Sequence, residues 1–289
     1  MKDTAVLLID CPDRKGLVAR VSGLLYERGA NILHADQHID HEQGLFFMRV
    51  EWELNGVPSG EAGFDLDGFK AAFTPLAAEL GMRWRLSASA RRPRVALFCS
   101  QYLHCIADLL YRWRTGELAC EIPLILSNHH EVAELAAFYG VDFEHTPVTA
   151  ETRAAAEQRQ LDLLAGHGIE LVVLARYMQI LSPAFVSHYP AAIINVHHSF
   201  LPAFTGARPY HAAHERGVKL IGATSHYVTA ELDDGPIIEQ DVARISHRDQ
   251  VEDLVARGRD LERMVLSRAV RWHLDRRILC YGNKTVVFD

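Results

Sequence analysis

The polarity pattern splits the chain into a short opening section and a longer one in which strand-like and helix-like runs alternate. The opening run Thr4-Ala5-Val6-Leu7-Leu8-Ile9-Asp10 ends in the turn Cys11-Pro12-Asp13-Arg14-Lys15-Gly16. Beyond it Leu17, Val18, Val21, Leu24 and Leu25 recur at helical spacing, and Gly29 supplies a stop. Strand-like runs at 31–40 and 44–54 flank Asp40-His41-Glu42-Gln43 and read as a hairpin. A second helical set, Phe69, Ala72, Phe73, Leu76 and Leu80, stops at Gly81, and 82–88 returns as a strand. The predicted order is βαββαβ.

After Arg91-Arg92-Pro93-Arg94 the pattern predicts strands at 94–100, 121–127, 142–147, from 171 and from 193. Between them it predicts helices at 103–113, 130–138, 152–166 and 183–188, the third with Leu161, Leu164 and Ala165 on one face. Such alternation is the mark of a Rossmann-like, mostly parallel α/β sheet with right-handed crossovers. Further strands follow at 222–228 and 236–242, then a closing helix at 251–273 and a short strand at 285–288. The expected domains are 1–86 and 94–289, joined by a linker at 87–93. The turn Cys99-Ser100-Gln101-Tyr102-Leu103 contains no glycine, which argues against a dinucleotide fingerprint and against NAD.

Composition changes this picture little. The 289 residues are 49% apolar and 23% charged, ordinary for a globular protein. A net charge of -7 and the lack of any longer basic block argue against nucleic acid as a partner. No apolar run reaches membrane-spanning length. The five cysteines are odd in number, scattered and preceded by no leader-like run, so reduced thiols and a cytoplasmic location are expected. The doublets His129-His130, His197-His198 and His104-Cys105 would point to opposite faces of extended chain, so no metal is expected there.

The candidate chemistry lies where the strand Ile193-Ile194-Asn195-Val196-His197 runs into His198-Ser199-Phe200-Leu201-Pro202-Ala203-Phe204. Ligands in open α/β sheets bind outside the carboxyl ends of the strands, and two residues apart on a strand share a face. Asn195 and His197 would therefore project together at that mouth, although both could equally serve to cap the strand. A second polar turn, Glu231-Leu232-Asp233-Asp234-Gly235-Pro236, follows the strand at 222–228; taken alone it could be an ordinary turn. A third segment, Leu171-Val172-Val173-Leu174-Ala175-Arg176-Tyr177-Met178-Gln179-Ile180-Leu181, is a buried strand entering an apolar loop.

Taken together, Asn195-x-His197-x-Ser199-x-Leu201-Pro202 and Leu232-Asp233-x-Gly235-Pro236-Ile237-Ile238 resemble the formyltetrahydrofolate-using hydrolases and transferases. The opening βαββαβ pattern, with Asp13-x-x-Gly16-Leu17 at its first turn, resembles an ACT domain. That combination resembles the formyltetrahydrofolate deformylase family over essentially the whole chain. The resemblance implies hydrolysis of 10-formyltetrahydrofolate by water, giving tetrahydrofolate and formate, with Asn195, His197 and Asp233 catalytic and no cofactor, the folate being the substrate. It implies a pterin pocket from Tyr177, Met178, Gln179, Ile180 and Leu181 with His226, Val228 and Leu232. His226 supports the reactive loop on this reading, and Arg176 faces either a substrate carboxylate or solvent. For the opening domain it implies a homo-oligomer, a dimer or tetramer, and an amino acid effector near Asp13, Gly16 and Leu17, a purely structural role standing as the other reading. A formyltransferase acting on an amine is the alternative activity; bulky residues at 100–105, where related transferases carry glycines, favour water.

Overall fold

A computed structural model describes residues 3–54, 64–202 and 209–289. It contains two compact units: Met1–Arg92 with Arg276–Leu279 and Val286–Asp289, and Pro93–Asp275 with Cys280–Thr285.

The first unit runs β1 (Thr4–Pro12), α1 (Leu17–Glu27), β2 (Ile32–Asp40), β3 (Leu45–Glu53), α2 (Leu66–Leu80) and β4 (Arg83–Ala88), the predicted order. Its sheet is antiparallel in the order β2-β3-β1-β4. Alternate residues of a strand face one side, so Ala5, Leu7 and Ile9 join Met48, Val50 and Trp52 and the apolar faces of the two helices in one core. Asp65 caps α2 by accepting from the Gly68 amide, and Gly81 ends it in the left-handed conformation that glycine adopts without steric cost. Arg49 Nε and Arg85 donate to the carbonyls of Arg276 and Ile278. These bonds tie residues 276–279 to the first unit, although the polarity pattern alone groups them with the second.

The second unit runs β5 (Arg94–Cys99), α3 (His104–Arg114), β6 (Glu121–Ser127), α4 (Ala133–Tyr139), β7 (Asp142–His145), α5 (Arg153–Gly166), β8 (Leu171–Ala175), α6 (Pro183–Ser187) and β9 (Ile193–His197). It continues through α7 (Pro209–Arg216), β10 (Leu220–Tyr227), β11 (Ile237–Arg244) and α8 (Val251–Leu274), and the chain closes with the paired strands β12 (Ile278–Tyr281) and β13 (Lys284–Val287). The seven-stranded sheet has the order β11-β10-β9-β8-β5-β6-β7. From β5 the chain steps outward to β6 and β7, then returns to β8 and β9 on the other side of β5. The direction of winding thus reverses between β5 and β8.

Strands β5 to β9 are parallel, and the inner strands β5, β6, β8 and β9 are mostly apolar and buried, whereas the edge strand β7 is polar. Strands β10 and β11 depart from the parallel rule, each antiparallel to its neighbour. Further details differ from the polarity reading, the unforeseen strand β12 among them. Helix α4 begins at Ala133, and α7 was not foreseen. On α5 the buried stripe is Ala156, Gln160 and Leu164, while Ala165 is exposed. Among the described residues no helix is long and apolar enough to cross a membrane.

Candidate active site

Sheet register explains how the site forms. On β9 Asn195 lies directly opposite His226 of the antiparallel β10, and His197 lies opposite Thr224. Cross-strand partners place their side chains side by side, so the amide and the imidazole meet without help from any loop. The Asn195 amide nitrogen is 3.2 Å from His226 Nε2, and His226 Nδ1 is 2.9 Å from the Tyr227 carbonyl oxygen. A carbonyl only accepts, so Nδ1 carries the proton and Nε2 is left as the acceptor for the amide N–H. Burial disfavours the charged ring and lowers the His226 pKa, which keeps this tautomer neutral.

Asp233 completes the group from the turn after β10. Its Oδ2 is 3.3 Å from His197 Nδ1 and its Oδ1 is 3.8 Å from His226 Nε2. The residue adopts φ 55°, a left-handed conformation that Asp tolerates better than most. The hydrogen bond to His197 holds its carboxyl below the usual range, against the opposing effect of partial burial. His197 is itself buried, and among the described residues its Nε2 has no hydrogen-bond partner. With Nδ1 engaged by Asp233, Nε2 is the nitrogen free to act on a bound group. Asn195, His197 and Asp233 are therefore brought together, with His226 beside both the amide and the carboxylate.

Two neighbours hold this arrangement. A Cβ at Gly235 would lie 1.7 Å from the Tyr227 carbonyl oxygen and 3.3 Å from His226 Nδ1, so the acidic turn needs glycine there to pack. The buried Thr224 hydroxyl donates to the Ser199 carbonyl and accepts from the Leu201 amide, while Gln240 donates to the Leu201 carbonyl and to Thr224. Together they pin the turn that follows His197. Sequence reasoning named Gly235 as part of the motif but missed the roles of Thr224 and Gln240; Thr224 opens the run Thr224-Ser225-His226 in the polar second half of β10. Ala203 and Phe204 lie outside the described residues.

The loop after β8 departs in part from expectation. Met178 and Ile180 are 50% and 55% exposed and Gln179 is half-buried, so they can line a ligand surface. Leu181 is nearly buried in the core, with Val228 packed against the same cluster. Tyr177 does not serve as lining: its ring packs edge-on to Phe98 and its hydroxyl accepts from Gln160, so its side chain is a core group. Its phenol pKa is pushed up to about 12, chiefly by burial. Leu232 is exposed beside Asp233, and His226 is too buried to present a face to a ligand. In the first unit Asp13 and Gly16 are exposed at the β1–α1 turn, but Leu17 belongs to the core and cannot touch an effector there.

Arg176 faces neither solvent nor an open surface. Only 9% exposed, its Nε lies 3.4 Å from Glu262 Oε2, and its guanidinium sits 5.2 Å from the Tyr102 ring centre. Glu262, 1% exposed, also takes His104 at 2.7 Å and the Tyr210 hydroxyl at 2.7 Å. Burial raises the Glu262 pKa, but these partners outweigh it and hold the carboxyl below its ordinary value. His104 and Cys105 open a helix instead of lying on a strand, and with Glu262 they place one ligand atom each within 4.8 Å of one another. The adjacent guanidinium makes this a poor place for a second cation.

A protein-family model described as formyl transferase matches residues 93–270, and one described as ACT domain matches residues 5–52. A formyltetrahydrofolate deformylase of Synechocystis sp. is 54% identical, covering 99% of this chain and 98% of its own. The Bacillus subtilis protein of that name is 48% identical over 100% of this chain and 95% of its own. The chain belongs to the formyltetrahydrofolate deformylase family. A crystal structure of the Pseudomonas syringae deformylase superposes with a TM-score of 0.95 at 50% identity, covering 100% of this chain and 95% of that one. A glycinamide ribonucleotide transformylase from Symbiobacterium toebii matches at a TM-score of 0.64 and 30% identity, over 68% of this chain and 95% of its own. The deformylase likeness thus takes in the whole chain.

Proposed function

We propose that the chain hydrolyses 10-formyltetrahydrofolate to tetrahydrofolate and formate through Asn195, His197 and Asp233. The observation that carries this reading is the Asp233–His197 pair at 3.3 Å beside the Asn195 amide. Water attack on a formyl amide builds a tetrahedral oxyanion, after which the folate nitrogen must leave with a proton. Asn195, its amide fixed by His226, donates to the developing charge. His197, its Nδ1–H directed at Asp233, presents Nε2 to the same oxygen in its doubly protonated form. Asp233 Oδ1 receives nothing from His226, whose Nε2 lone pair is already used by Asn195; that free oxygen takes the proton from water. The carboxylate then returns a proton to the departing nitrogen.

In this scheme no cofactor is needed, and the pterin lies against Met178, Gln179 and Ile180 with backbone of the Val228 to Asp233 segment. Transfer to an amine is not favoured, since the full-length relatives reported above are named deformylases. The first unit carries amino acid control through Asp13 and Gly16 and pairs copies of the chain through the exposed edge strand β2, where Ile32 and Leu33 face outward. A reduced, cytoplasmic setting suits its five free cysteines.

The test is formate release from 10-formyltetrahydrofolate with no amine present. Wild-type enzyme should turn over, while Asp233→Asn should lose about 10²-fold or more in kcat with folate binding retained. Wild-type rates in that variant would remove Asp233 from the chemistry.

A further inference from the structure

The crevice at the carboxyl ends of β5 and β8 is where this sheet reverses its winding, and open α/β sheets hold ligands at that point. Here it is filled by side chains. Arg176 enters it from the end of β8 in a left-handed conformation, φ 63°, that a long side chain seldom adopts. Its guanidinium sits against Tyr102, which follows β5, and against Glu262 of α8. Tyr210 of α7 and His104 of α3 close over the same carboxylate. Tyr210 in turn depends on Gly258, where a Cβ would lie 2.1 Å from its hydroxyl.

This filled crevice adjoins the reaction centre. The His198 ring lies 6.3 Å from that of Tyr210 and 5.1 Å from that of His197. Arg176 stands two residues before Met178, at the start of the loop assigned to the pterin, so a molecule seated in the crevice would adjoin both that loop and the reaction centre. A second organic substrate entering by this crevice would meet Arg176 first. A strained backbone and a buried ion pair are both costly, and nothing in the Asn195–His197–Asp233 chemistry requires them.

We propose that Arg176, paired with Glu262 and set against the Tyr102 ring, is the specificity-determining residue that excludes amine acceptors and leaves water as the only nucleophile able to reach the formyl carbon. The inference rests on the hydrolase reading above. The excluded reaction is balanced: an amine nitrogen bonds to the formyl carbon, the bond to the folate nitrogen breaks, and the amine proton ends on that nitrogen. Exclusion acts by volume against neutral amines and by charge against protonated ones.

The experiment compares wild type, Arg176→Gly and Arg176→Met with 10-formyltetrahydrofolate and methoxyamine, a neutral nucleophile larger than water. The ratio of N-methoxyformamide to formate is read by mass spectrometry. This ratio does not depend on how much of a sample is folded. Arg176→Gly should raise it by about tenfold or more, while Arg176→Met, which keeps the volume, should stay near wild type. Unchanged partition in an Arg176→Gly enzyme that still releases formate overturns the proposal, as does wild-type enzyme that already formylates methoxyamine. Should Arg176→Gly not fold with Glu262 stranded, Tyr102→Ala opens the same crevice and must shift the ratio in the same direction; no shift again overturns it. Failure of wild type to release formate without any amine would count against the hydrolase reading instead.

Discussion

The Asn195 amide nitrogen lies 3.2 Å from His226 Nε2 because the two residues are register partners across β9 and β10. That contact decides which end of the amide faces the imidazole. Since Nδ1 of His226 must donate to the Tyr227 carbonyl, only the amide N–H can face Nε2. In the proposed mechanism His226 is a positioning residue, and its substitution tests orientation apart from binding. His226→Ala frees the amide to rotate and should lower kcat by about 10²-fold, with KM changed far less. Steady-state kinetics decide it; a rise in KM at constant kcat would mean that His226 binds substrate instead.

Gly235 controls the same site from the acidic turn. Any side chain there meets the Tyr227 carbonyl, the group that sets the His226 tautomer. Gly235→Ala should thus displace Asp233 and His226 together and cut kcat by about tenfold or more, beyond any loss of stability. Measuring kcat per folded molecule alongside thermal unfolding separates the two effects. Full activity in a folded Gly235→Ala protein would show that the turn can move without cost.

Much of this site could be read from the chain because its residues sit at points where local rules are strong. A buried strand that ends in Asn195-x-His197, and an Asp233-x-Gly235-Pro236 turn able to hold a left-handed Asp, signal themselves by position. What stayed hidden depends on tertiary partners. Strand polarity carries no direction, so the antiparallel β10 and β11 were not distinguishable from parallel ones. Helix α7 has too few apolar residues to show a period. Tyr177 looks like any aromatic near a pocket until Gln160 is found bonded to its hydroxyl in the core. Glu262 carries a signal in hindsight: it falls between Leu261 and Val265 on the buried stripe of α8, where a carboxylate needs partners. Arg176, His104 and Tyr210 are those partners, and each comes from a different element.

His198 gives the site a pH response that separates from catalysis. Its pKa is lowered from 6.5 to about 4, first by burial and then by the positive charges of Arg176 and His197, with Glu262 and Asp233 opposing. Above pH 6.5 the ring is neutral in folded and unfolded chains alike, and His198 contributes no slope. As pH falls from 6.5 towards 4, the unfolded chain takes up a proton that the folded one refuses, so stability declines across that window and levels off below it. The full decline attributable to this ring is about 3 kcal/mol. Urea unfolding at a series of pH values should show that slope in wild type and its loss in His198→Asn, whatever the variant's stability at neutral pH. A His198→Asn protein that keeps the wild-type slope would place the acid sensitivity in another group.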